Sequence, residues 1–189
     1  MNITVLSPKG VYCRPDTSLE REDKDFYIPD NVSDYAYTPV VFARISKAGK
    51  CIGRKFAGRY YDAIGFGALL YACKSSEADV ATASCHDHTS ILPQPLYNPI
   101  TLENPSNAFA LSIDGNEIFS VKVGEQDFKD IIEEALYKVS PIVSQRTGDF
   151  VAVELSEMKN LIEDVKEGEE HTLKGGFCDN ALFEIKMIK

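Results

Sequence analysis

The sequence has few of the groups on which disulfide and transition-metal frameworks are built. Of its 189 residues, five are cysteine and three are histidine. Cys13, Cys51, Cys73, Cys85 and Cys178 are odd in number, dispersed, and form no CxxC pair. That excludes a zinc ribbon, argues against a disulfide scaffold, and predicts reduced, mostly buried thiols. Long apolar runs are missing too, since none approaches the ~20 residues of a membrane-spanning helix. The opening Met1–Gly10 has no basic stretch followed by an apolar one. No secretory leader is therefore expected, and the chain is read as cytoplasmic with no membrane partner. Internal repeats and low-complexity segments are absent.

Positive charge is also short. The net charge is −9, and residues 96–189 carry all of the excess, because residues 1–95 balance. An acidic surface argues against a nucleic-acid partner, whose binding depends on neutralising phosphates. One stretch runs the other way: Arg44, Lys47, Lys50, Arg54, Lys55 and Arg59 follow one another with no acid between Asp34 and Asp62. It reads either as an anion site or as a solvated turn and outer face, and the second is the ordinary behaviour of such runs. Tyr35, Tyr37, Tyr60, Tyr61 and Tyr71 lie near it and read as core aromatics.

What is present suits a core. Hydrophobic residues are 44% and charged residues 26% of the chain, which is globular composition. One domain spanning 1–189 is expected. Pro8, Pro15, Pro29 and Pro39 discourage helix near the start and leave short extended pieces such as Phe26–Ile28. A strand is predicted over Val40–Ile45, a short helix over Arg54–Asp62, and a buried strand over Ala63–Cys73. Residues 84–107, rich in Pro, Ser, Asn and His, read as a long surface connection. Asp114-Gly115-Asn116 between two apolar runs signals a hairpin. Phe128, Ile131, Ile132, Ala135, Leu136 and Val139 fall on one face of a helix that Asp127 can cap. Thr147-Gly148-Asp149 is a turn into a strand at Phe150–Val153, and Ala181–Met187 is the last strand. Strands outnumber helices without regular alternation, so the fold class is α+β and β-rich.

Three stretches, in order, resemble the fumarylacetoacetate hydrolase family, and its small single-domain bacterial members in particular. Arg14-Pro15-Asp16-Thr17-Ser18-Leu19 with Phe26-Tyr27-Ile28-Pro29 is similar to the family's K-P-D-(S/T)-A-L and the extended piece after it. Arg44-Ile45, the turn at Gly49-Lys50, and Ala57 with Arg59-Tyr60-Tyr61-Asp62-Ala63 resemble its strand, turn and A-x-x-Y-Y-D helix. Asp114-Gly115-Asn116-Glu117, the helix from Phe128, and Thr147-Gly148-Asp149 resemble its hairpin, amphipathic helix and T-G-D turn. The resemblance implies β-sheets rolled around a central site, a homodimer, and Mg²⁺- or Mn²⁺-dependent hydrolysis, decarboxylation or isomerisation of β-dicarbonyl acids. The metal would act there as a Lewis acid stabilising an enolate.

At the positions that matter for that chemistry the sequence departs from the family. Its E-x-E ligand pair falls at Thr38 and Val40, and its third carboxylate ligand at Leu69. A family lysine falls at Ser84, and the T-G-T-P substrate loop becomes Val153-Glu154-Leu155-Ser156. A counterpart of the family's N-terminal segment with its catalytic histidine is not expected here, and no histidine precedes His86. Three carboxylates removed leave a hard divalent ion little to repay its dehydration.

Three readings follow. The first is a pseudoenzyme with no catalytic residue, no metal and no cofactor, acting as a homodimer or with a protein partner. The second is a working Mg²⁺ or Mn²⁺ hydrolase or decarboxylase with ligands relocated to residues such as Thr38, Glu154 or Glu157. The third is a small-anion binder with Arg44 and Arg59 as the clamp. Cys85-His86-Asp87-His88 could hold a transition metal or a nucleophile with its base, but it reads first as an exposed loop. The acidic run from Glu163 to Glu170 reads as a solvated turn, and Lys174-Gly175-Gly176 lacks the pattern of a phosphate loop.

Overall fold

The computed structural model describes residues 1–22, 24–74 and 79–189. Its larger sheet contains β1 (Ile3–Ser7), β2 (Gly10–Arg14), β3 (Leu19–Glu20), β5 (Tyr35–Ile45), β6 (Tyr61–Tyr71), β7 (Ser90–Ile91), β10 (Phe150–Glu154) and β11 (Lys159–Ile162). The smaller contains β4 (Phe26–Tyr27), β8 (Ala108–Ile113), β9 (Asn116–Lys122), β12 (Glu170–Phe177) and β13 (Asn180–Ile188). Among the described residues there are two α-helices, α1 (Val80–Ala83) between β6 and β7 and α2 (Phe128–Val139) between β9 and β10. The larger sheet runs β2-β1-β10-β5-β6-β7-β3, with β11 on β5, and the smaller runs β4-β13-β12-β8-β9. The pairs β1–β10, β3–β7 and β4–β13 are parallel.

Strands β5 and β6 are eleven residues each and buried almost throughout. A strand reads as a continuous apolar run when both of its faces are covered. Side chains alternate along β5, and the two sets enter different cores. Tyr35, Tyr37, Val41, Ala43 and Ile45 face a core shared with the smaller sheet and α2. At its centre the Phe66 ring meets those of Phe109, Phe128 and Phe177, with centroids 5.0, 5.3 and 4.6 Å away. Ala36, Val40 and Phe42 face a second core, with Ile3, Val5, Leu69, Tyr71, Phe150 and Ala152.

The second core lies inside a roll. Strands β2 and β6 are four places apart in the sheet, about 19 Å if it were flat. Yet the hydroxyls of Tyr12 on β2 and Tyr71 on β6 are 2.5 Å apart. The sheet therefore curls until its β2 end meets β6. The architecture is α+β and β-rich, with a rolled sheet packed against a smaller one.

Several sequence expectations are corrected. Strand β5 starts at Tyr35 rather than Val40, with Pro39 inside it. The proline is tolerated because β10 pairs from Val40 and β11 from Tyr37, so its missing donor falls in the gap. Residues 84–107 are not all surface: Thr89, Ser90, Ile91 and Leu92 are buried, and β7 joins β6 to β3. Arg54–Arg59 is a 3-10 turn, and β6 already begins at Tyr61. The thiols are not mostly buried, since Cys13, Cys51 and Cys85 are exposed. No helix among the described residues is long and apolar enough to cross a membrane.

Candidate functional site

The polar centre of the roll is a ring of oxygens. Strand β2 supplies Tyr12 and Arg14, β5 supplies Thr38, β6 supplies Tyr71, and β10 supplies Glu154. Tyr12 and Tyr71 both donate to Glu154 Oε1 at 2.8 Å, while their own hydroxyl oxygens are 2.5 Å apart. Thr38 Oγ1 is 3.2 Å from the Tyr71 hydroxyl. An ionised Glu154 leaves two phenolic protons for three short contacts. Burial pushes the Glu154 carboxyl upward, against the phenol hydrogen bonds and the Arg14 charge. Burial pushes the Tyr12 and Tyr71 phenols upward as well.

Arg14 lies against this ring and is 2% exposed. Its Nη2 donates to Leu70 O at 2.7 Å and to Thr89 Oγ1 at 2.7 Å, and its guanidinium sits 5.0 Å from the Tyr71 ring centroid. Nε and Nη1 are buried without a hydrogen-bond partner among the described residues. Its charge opposes the effect of burial on the Glu154 carboxyl.

The residues singled out by register divide into two groups. Val40 and Leu69 are 0% exposed within the second core. Thr38 and Leu69 are cross-strand partners, and Val40 is opposite Gly67. Ser84 is buried at the end of α1, next to Ala83 of the second core, its hydroxyl donating to Ala81 O. Glu154 joins Thr38 through Tyr71. Arg44 and Arg59 are not in this group. Arg44 is exposed and doubly bonded to Asp62 at 3.0 Å, and Arg59 lies over the Phe56 ring. Arg54 binds Asp130, Glu133 and Glu134 of α2, so the basic stretch is an outer face tied to acidic neighbours.

The remaining motifs are placed as follows. His88 Nδ1 is 2.9 Å from Glu20 Oε2, and Cys85 Sγ donates to Ala81 O. Among the described residues no group of three or more His, Cys, Asp or Glu is arranged to hold a metal ion. Glu157 is exposed. Asp164 lies 3.6 Å from Lys74, and Lys174-Gly175-Gly176 lies inside β12. Tyr12, Tyr71 and Arg14 were not legible as site residues. Nothing local distinguishes a tyrosine that reaches across a roll from one that packs in it.

No protein-family model matches the chain, and no curated protein matches it. Solved structures do. Fumarylpyruvate hydrolase from Pseudomonas aeruginosa, solved with Mn²⁺ and pyruvate, superposes with a TM-score of 0.77 at 14% identity, covering 100% of this chain and 89% of that one. A protein from Yersinia pestis described as of the fumarylacetoacetate hydrolase family gives 0.76 at 13% identity, covering 99% and 92%. A 5-carboxymethyl-2-hydroxymuconate delta-isomerase from Mycobacterium smegmatis gives 0.76 at 12%, covering 99% and 76%. The chain therefore has the fold of the fumarylacetoacetate hydrolase family, whose neighbours here include a hydrolase and an isomerase.

A hard divalent ion takes six or more oxygen ligands, carboxylates prominent among them. The described residues at the register positions offer Thr38 and Glu154. The first is a neutral hydroxyl hydrogen-bonded to Tyr71, and the second has an oxygen already accepting from two phenols. Val40 and Leu69 offer only hydrocarbon. This donor set does not fit such an ion.

Proposed function

We propose that this chain is a fumarylacetoacetate hydrolase family member that has given up metal-dependent catalysis and works by binding, as a pseudoenzyme. The observation that carries the reading is the packing of Val40 and Leu69, fully buried, beside Thr38 in the second core. A core that no longer serves a cation gains by replacing carboxylates with apolar side chains, because an unpaired buried charge is costly. The Tyr12–Tyr71–Glu154 ring and Arg14 then supply the internal charge balance that metal and carboxylates would otherwise provide. On this reading the protein is one domain, cytoplasmic, and assembles as a homodimer or with a protein partner.

The test is thermal unfolding of metal-stripped protein against Mg²⁺ and Mn²⁺ in excess. A native-state ligand at ~100 times its dissociation constant adds about 2.7 kcal/mol. For a chain of this length that is a shift of several degrees, at roughly 2–4 °C per kcal/mol. Unchanged melting in both ions is the expected result. A saturable shift, abolished by Glu154→Gln, overturns the proposal in favour of a relocated metal site. A shift that survives that substitution overturns it and places the ligands elsewhere.

A further inference from the structure

A separate hollow of about 590 Å³ opens where the β3–β4 segment, the residues after α1, and β13 meet. Its volume is in the range of small-molecule sites. None of Thr38, Val40, Leu69, Ser84 or Glu154 lines it. Two features of its wall are otherwise unexplained. Tyr35 is 0% exposed, and its hydroxyl has no hydrogen-bond partner among the described residues. Leaving a buried donor unmade is costly. Tyr27, by contrast, is 71% exposed, although it is a large aromatic on a strand.

Among the described residues, carboxylates outnumber lysine and arginine around the hollow. Glu20, Asp25 and Asp87 line it with Lys24, which is bound to Glu22 at 2.5 Å, and with His86 and His88. Glu20 is held rigidly, its Oε1 accepting the backbone N–H groups of Arg21 and Glu22 and its Oε2 meeting His88. Phe26 and Ile185 add apolar lining, and the Phe26 ring meets that of Tyr35 edge to face at 5.5 Å. Carboxylates beside an exposed aromatic face favour a cation, and the apolar wall favours a hydrocarbon body on it.

We infer that this hollow is a binding site for a small organic cation, a protonated amine carrying an aromatic or short apolar group. The ammonium sits among Asp25, Asp87 and the Tyr27 face, and the body lies against Phe26 and Ile185. The site is independent of the pseudoenzyme reading, because it shares no residue with the roll's interior. A metal-binding result there leaves this proposal intact, and the reverse holds too.

The experiment uses the full chain, with phenethylamine as the cationic probe and 3-phenylpropionate as its anionic counterpart. Titration calorimetry and ligand-observed saturation-transfer NMR read the binding. A probe this small binds at roughly millimolar affinity or tighter when it fits. The amine is expected to bind saturably and the acid at least about tenfold more weakly, a gap that added salt narrows. Asp25→Asn with Asp87→Asn should remove most of that preference. Tyr27→Ala, at an exposed position, should weaken the amine about two- to fivefold, the ordinary range for an exposed cation–π contact. Equal affinity for the two probes, preference for the acid, or no saturable binding of the amine overturns the proposal. So does amine binding that is unmoved by both sets of substitutions.

Discussion

Glu154 is the residue on which the interior of the roll turns. It accepts from Tyr12 and Tyr71, and burial raises its carboxyl above the ordinary range. An unfolded glutamate loses its proton near about pH 4.3, so above that value the folded state holds a proton that the unfolded chain has released. Stability contributed by that proton is complete below the unfolded value. It is lost as pH rises through the raised folded value. Glu154→Gln carries an uncharged amide and removes this dependence. Urea denaturation of both proteins at a series of pH values should show the variant gaining on the wild type as pH rises from mildly acid toward neutral. A difference that stays constant across the series would refute the assignment. The sequence marked Glu154 as a candidate relocated ligand after a turn. Its partners come from residues 12 and 71, and no spacing rule connects those positions.

At the scale of elements, local chemistry explains much of what forms. Helix α2 runs Phe128–Val139 as its periodicity predicts, with Phe128, Ile132, Ala135, Leu136 and Val139 buried. Asp127 accepts from the Asp130 backbone N–H at the N-terminus. Asp127→Ala should therefore cost about 1 kcal/mol of stability, read as a lower urea midpoint with unchanged slope. The turn at Asp114-Gly115 has φ of 50° and 80°, the left-handed pair that a tight hairpin needs. Strand β12 was illegible for an equally physical reason. Its glycines look like a loop, yet Gly175 lies directly against the Phe183 ring of β13, where a Cβ would collide. The glycine serves a cross-strand neighbour rather than a turn. Strand β7 was hidden by its brevity and by the polar residues around it, although Thr89 and Ser90 are fully buried. Their hydroxyls are satisfied by His86 O and Ser18, contacts distant or irregular in sequence.

For the whole molecule, the homodimer proposed above is tested by light scattering at micromolar concentration. The expected mass is twice the 21.0 kDa of one chain. A mass of one chain across the accessible concentration range would remove the dimer and leave the protein-partner role to stand by itself. By itself the sequence determined the β-rich class, the amphipathic helix, the hairpin and the acidic C-terminal half. Each of these rests on neighbours a few residues apart, where periodicity, turn residues and charge act directly. Only the tertiary structure decided that β2 closes onto β6. That closure joins Tyr12, Tyr71, Thr38 and Glu154 in one hydrogen-bonded group. Curling depends on strand twist summed across a sheet and on side chains packing on both faces at once. No local stretch of sequence carries that information.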